Sequence, residues 1–222
     1  MTVNENLVAS EVIDWRDPRV REFVNETTAG QEDPKEKVVA LYSAVRDTIR
    51  YDPYRLELSV CGMKASATLK KGYGWCVSKA VLLAACCRAV GVPARLGFGD
   101  VKNHMSSKRL MARMGTDVFY WHGYTEILLA DRWVKATPAF NRSLCEKLGI
   151  AVLEFDGERD SILQMHDRTG HRYMEYLRQR GSFDDLPLKE IRATFERHYP
   201  RILATEEADF ASEAADYSQT IR

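Results

Sequence analysis

Gly72-Tyr73-Gly74-Trp75-Cys76-Val77-Ser78-Lys79-Ala80-Val81-Leu82-Leu83-Ala84-Ala85-Cys86-Cys87-Arg88-Ala89-Val90-Gly91-Val92-Pro93-Ala94-Arg95 is the stretch whose reading decides the fold. Its opening glycines permit backbone angles that other residues resist. From Trp75 or Cys76 the apolar spacing becomes helical, with Ala80, Leu83, Ala84, Cys87 and Val90 on one face. Val77, Val81 and Leu82 are apolar as well, so this helix is expected to be buried nearly all round. Gly91 followed by Pro93 ends it, and Ala94–Gly99 reads as a strand. A cysteine therefore opens a rigid helix at the centre of the molecule.

Upstream, Asp33-Pro34-Lys35-Glu36 is a helix start: Asp33 caps, Pro34 suits the first turn, and Glu36 can reach back to the cap amide. Val38, Leu41, Tyr42, Val45 and Ile49 follow at helical spacing. Ala65–Leu69 reads as a short helical turn with Ser66 as a possible cap. Downstream, Lys102 to Gly115 is polar and basic, read as a solvated connection; its Met105, Met111 and Met114 leave a flap as the alternative. Val118–Leu129 and Arg132–Thr137 are two strands joined by a tight turn at Ala130-Asp131. Beyond Asn141 the pattern gives a helix at Arg142–Leu148, a strand-like Val152–Phe155, a helix near Arg172–Arg180 and another over Leu188–Tyr199. The tail from Ala204 is acidic. The order is α+β, in a single domain over 1–222: a core over 35–141 and a C-terminal elaboration over 142–222.

The 222 residues carry 32 basic and 32 acidic side chains, so the formal charge is zero. That balance points away from nucleic acid and from anionic membranes as partners. The N-terminus is polar and interrupted, unlike a secretory leader, and a cytoplasmic location is expected. The five cysteines, at 61, 76, 86, 87 and 145, form no CxxC pair, so free thiols are expected, with no metal site and no cofactor.

Cys76 differs from the other four in its setting. Unpaired amides at a helix N-terminus favour thiolate over thiol and can donate to an oxyanion. The alternative is a small buried hydrophobe, the usual fate of a free cysteine. A thiol nucleophile needs an imidazole as base and as proton donor to the leaving group. His122, within the first hairpin strand, is the histidine held most rigidly; a hydrogen-bonded structural role is its alternative. His104 lies in the basic connection, and His166, His171 and His198 lie among charged residues of the late segment.

Taken together, Gly74-Trp75-Cys76-Val77-Ser78-Lys79-Ala80, Arg88-Ala89-Val90-Gly91-Val92-Pro93-Ala94-Arg95, and His122-x-x-x-Glu126 with Trp133-Val134 resemble the nucleophile helix, the helix-to-strand signature and the histidine hairpin of the transglutaminase-like superfamily. The resemblance implies a cysteine-proteinase-like fold, with the nucleophile helix packed on an antiparallel sheet. It implies Cys76 as nucleophile, His122 as base, and amide or thioester chemistry through an acyl-enzyme. The family's third residue is an aspartate, but its place here falls on Thr137, which can accept a hydrogen bond without adding charge. Trp75 stands where some members carry glutamine, and its indole N–H is an oxyanion-hole candidate or simply packing. Glu126 is read as a structural ion-pair partner of Arg95.

These readings give a thiol-dependent hydrolase or acyltransferase acting on a peptide or protein substrate. The alternatives are a catalytically weak peptide-binding module of the same fold, and a scaffold using its late helices. The Cys76 sulfur is expected about 3–4.5 Å from a His122 ring nitrogen. The Thr137 hydroxyl, or a carbonyl beside it, is expected to accept an imidazole N–H.

Overall fold

The computed structural model describes residues 5–104, 108–163 and 174–199. After a short 3₁₀ turn at Glu5–Leu7, helices α1 (Pro18–Thr27) and α2 (Pro34–Thr48) lead to a two-residue strand β1 (Arg50–Tyr51). The cap at α2 forms as the sequence requires, Asp33 accepting from the Lys35 amide at 2.7 Å. Helices α3 (Val60–Met63) and α4 (Ala65–Lys71) follow, then β2 (Tyr73–Gly74), which pairs in parallel with β1. Ser66 does not cap α4; it sits one residue inside, where its hydroxyl donates to Asp14 at 2.6 Å.

The central helix α5 runs from Cys76 to Ala89. Its N-terminus is closed by Ser78, whose hydroxyl accepts from the Trp75 amide at 3.0 Å. At the other end Gly91 takes φ 78°, donating to the Arg88 carbonyl while Val92 donates to that of Cys87. This is a Schellman closure, and the left-handed angle is why glycine stands there. Residues 76–88 are all buried, while Val90, expected on the core face, is only half-buried at the cap.

Strand β3 (Ala94–Asn103) leads to the seven-residue helix α6 (Lys108–Met114), and then to the hairpin β4 (Val118–Leu129) and β5 (Arg132–Ala136). Its turn residues Ala130 and Asp131 have φ 47° and 59°, the mirror-image turn that matches strand twist. After α7 (Arg142–Leu148) the chain adds β6 (Met174–Phe183) and α8 (Leu188–His198). The sheet order is β5-β4-β3-β6, antiparallel throughout, with α5 packed across β4 and β3. Thr125 of β4 ties the layers by donating to the Ala80 carbonyl at 3.0 Å. The architecture is α+β with the cysteine-led helix on an antiparallel sheet.

Two expectations fail in the late segment. Residues 174–183 form a strand rather than a helix, because edge pairing with β3 overrides their helix-forming composition. Val152–Phe155 is irregular; what pairs beside β5 is Ser161, bridged to Ala136. The acidic tail, Met105, His166 and His171 lie outside the described residues.

Buried cations stitch distant segments together by donating to backbone carbonyls. Lys79 reaches those of Arg46 (2.9 Å) and Ile49 (2.6 Å). Arg88 reaches those of Val8, Ala94 and Asp184. Arg46 binds the Leu153 carbonyl and the carboxylates of Asp47 and Glu154. Among the described residues, no helix is long and apolar enough to cross a membrane.

Candidate active site

Cys76 and His122 open on the same pocket, of about 380 Å³ measured out to its mouth. The rest of its wall comes from Trp75, from Tyr51, Pro53 and Leu56 before α3, from Leu110 and Met114 of α6, from Phe119 and Tyr120 of β4, and from Phe195 and Tyr199 at the end of α8. Among the described residues, no Asp, Glu, Lys or Arg side chain lines it.

The sulfur is positioned from two directions. The amides of Cys76 and Val77 at the start of α5 face it, and so does the amide of Gly123, the residue after His122. Strand β4 comes that close because residue 123 is glycine: a Cβ there would sit 3.0 Å from the Val77 Cα. The register sets His122 opposite Gly99 of β3, three residues before β4 also pairs with β5 at Thr125.

The electrostatics depart from the sequence reading. Cys76 is 7% exposed and His122 is 5% exposed. Burial pushes the thiol up to about 11, outweighing the three amides that favour thiolate. Burial also pushes the imidazole down to about 4, with no carboxylate among the described residues acting against it. At neutral pH the pocket thus holds an uncharged thiol and an uncharged imidazole.

Thr137 follows directly after β5 and is not part of the pocket wall. Its carbonyl accepts from the Tyr42 hydroxyl at 3.1 Å and its amide donates to the Ser161 carbonyl at 2.8 Å. Its hydroxyl oxygen and the His122 Nε2 are both buried with no hydrogen-bond partner among the described residues. The expected Thr137 hydroxyl contact is therefore absent, because the backbone of residue 137 is committed to Tyr42 and Ser161. Trp75 lies against Phe195, ring centroids 5.5 Å apart, with its indole in the pocket wall. Glu126 pairs with Arg95 at 2.6 Å, as expected, and Arg95 also covers the Trp133 ring at 4.1 Å. Cys86, Cys87 and Cys145 are buried elsewhere, and Cys61 is exposed.

The sequence reading missed most of the pocket wall. The connection after β3 is not merely solvated: Leu110 and Met114 are buried at 2% and 3% exposure and face the site. Their i, i+4 spacing was the available signal. Phe195 and Tyr199 were legible as one helix face, but nothing in the order of residues said where that face docks. Tyr199 settles it by donating to the Val118 carbonyl (2.6 Å) and accepting from the Tyr120 amide (2.7 Å).

A family model described as "Transglutaminase-like superfamily" matches residues 21–138. No curated protein matches the chain. Several solved structures are similar to it, two of them as follows. One, a putative cysteine protease from Cytophaga hutchinsonii, is 18% identical with a TM-score of 0.48, over 61% of this chain and 41% of that one. The other, a putative protease from Parabacteroides distasonis, is 15% identical with a TM-score of 0.39, over 61% of this chain and 25% of that one. The chain thus matches less than half the length of either.

Proposed function

Since the chain belongs to the transglutaminase-like superfamily, we propose that it is a thiol-dependent hydrolase cleaving amide or ester bonds of a peptide through a Cys76 acyl-enzyme. The observation that carries this reading is the shared pocket: the Cys76 sulfur and the His122 imidazole open on one cavity, with the Gly123 amide turned toward the sulfur. His122, neutral above about pH 4, accepts the thiol proton as the sulfur attacks the substrate carbonyl. The amides around the sulfur, and the Trp75 indole N–H, are the donors for the oxyanion. As the carbon–nitrogen bond breaks, the imidazolium returns the proton to the departing amine, leaving a thioester. Water, deprotonated by the same imidazole, then releases the acid and restores the thiol. Hydrolysis is favoured over transfer to an amine because water needs no subsite of its own. The uncharged aromatic wall favours substrates with an apolar group beside the scissile carbonyl, since a charge there would lose its hydration without a counter-charge.

Burial favours a second reading, a peptide-binding module of the same fold. A thiol held near 11, sharing a pocket with an imidazole held near 4, is a weak nucleophile until it loses its proton. Turnover of a panel of acyl-phenylalanine, acyl-glutamine and acyl-aspartate esters decides between the two. The enzyme reading expects hydrolysis that is fastest for phenylalanine and lost in both Cys76→Ala and His122→Ala. Binding of the same peptides without turnover in the wild type would establish the second reading instead.

A further inference from the structure

Trp121, the residue before His122, has φ 60°, in the left-handed region that side chains other than glycine rarely enter. It stands at a β-bulge. Between Gly99 and Val101 of β3 the register with β4 shifts, so that Tyr120 and Trp121 together face Asp100. On the opposite side of β3, toward β6, the register shifts twice, and beside the first of these shifts the positive angle falls on a glycine, Gly181 at φ 95°. The tryptophan must be held where glycine would sit unforced.

Three contacts hold it. Its amide donates to Asp100 at 3.1 Å, its indole N–H donates to Thr194 of α8 at 2.9 Å, and the Arg180 guanidinium lies over its ring at 4.5 Å. Arg180 in turn donates to the same Asp100 oxygen at 2.5 Å, and Asp100 is 5% exposed. The irregular pairing thus sets Arg180 of β6 against Asp100 of β3, and the pair clamps the peptide that carries His122. The bulge also breaks strict alternation, so that neighbours Phe119 and Tyr120 both join His122 in the pocket wall.

We propose that the Asp100–Arg180 pair positions His122, acting through the Trp121 backbone in place of a carboxylate on the imidazole itself. Asp100 is a positioning residue and does not touch the pocket. The inference rests on the reading of His122 as the base.

The test uses the full chain carrying Cys61→Ser, which removes the exposed competing thiol. The His122 ring is titrated by NMR, and Cys76 alkylation by iodoacetamide is timed, in Asp100→Ala, Asp100→Asn and Thr194→Val, each with and without His122→Ala. Releasing Trp121 should move the His122 pKa from about 4 upward toward the ordinary histidine value in Asp100→Ala and, by less, in Thr194→Val. Cys76 alkylation in Asp100→Ala should change at least about tenfold. Asp100→Asn keeps an oxygen for the Trp121 amide and should stay within about threefold of the parent. None of these substitutions should alter alkylation further once His122 is alanine. Equal effects in both backgrounds, or an unmoved His122 titration in both Asp100→Ala and Thr194→Val, would overturn the positioning role. If His122→Ala alone left Cys76 alkylation unchanged, the reading of His122 as the base would fall, and the positioning role with it.

Discussion

At the scale of single residues, the site depends on one missing side chain. A methyl at position 123 would press on the Val77 backbone, which cannot swing aside as a flexible side chain would. Gly123→Ala should therefore push β4 off the start of α5, lowering stability by about 1–3 kcal/mol. For a chain of this size that lowers the melting temperature by about 2–4 °C per kcal/mol. It should also remove the Gly123 amide from the sulfur, so Cys76 alkylation should slow while that of Cys61 stays constant; unchanged melting and alkylation would show that the approach is loose. The pH dependence follows from the two buried groups. His122 stays uncharged above about pH 4 and Cys76 stays protonated to about pH 11. The profile of kcat/KM should accordingly fall only below about pH 4 and lie flat through neutrality, whereas a preformed thiolate–imidazolium pair would give a bell. Cys76 and His122 were legible because glycine, cysteine and helix periodicity adjoin in one stretch, and because the histidine sits in a hairpin bounded by a recognisable turn. Their protonation was not legible, since it depends on how deeply the pocket wall encloses them.

At the scale of elements, α5 and α8 contrast. Every apolar position of α5 was readable, and Leu83, at 0% exposure, should cost about 2–5 kcal/mol when cut to alanine, measured by urea unfolding. A cost below about 1 kcal/mol would mean that the face relaxes freely. Helix α8 was equally readable as a helix, yet its role comes from docking on β4, a long-range event that sequence periodicity does not encode. Phe195, packed on Trp75, narrows the pocket. Phe195→Ala should speed Cys76 alkylation several-fold while lowering stability by about 3–5 kcal/mol; slower alkylation would mean that this ring organises the sulfur more than it shields it. Strand β6 was misread for a related reason. Glutamate, leucine, arginine and glutamine favour a helix in isolation, and only an unfilled edge on β3 makes them a strand.

For the molecule as a whole, burial of His122 and Lys79 links stability to pH with a definite sign. Both are pushed down, His122 to about 4 and Lys79 to about 7, chiefly by loss of solvent. The unfolded chain therefore binds a proton that the folded chain does not, from pH 4 to 6.5 for His122 and from 7 to 10.5 for Lys79. Stability should rise with pH across both windows, by roughly 3 kcal/mol for His122. Above about pH 9 the buried thiols oppose this, because Cys76, Cys86 and Cys87 keep protons that the unfolded chain releases. Urea unfolding should thus show a maximum near pH 9, and Lys79→Met should flatten the rise between pH 7 and 9; a rise that survives in Lys79→Met belongs to other groups. Among the described residues beyond 141, Leu153 is tied to α2 through Arg46 and Tyr42, and Asp184 to α5 through Arg88. Trp75 gives all of this an optical readout. One indole both stands at the start of the thiol-bearing helix and faces the cavity, so a reagent on Cys76 will change its emission, and a naphthalene-type acceptor there will draw its excitation by dipolar transfer. Arrival at the thiol becomes a colour change that can be followed in real time, with no label other than the reagent itself.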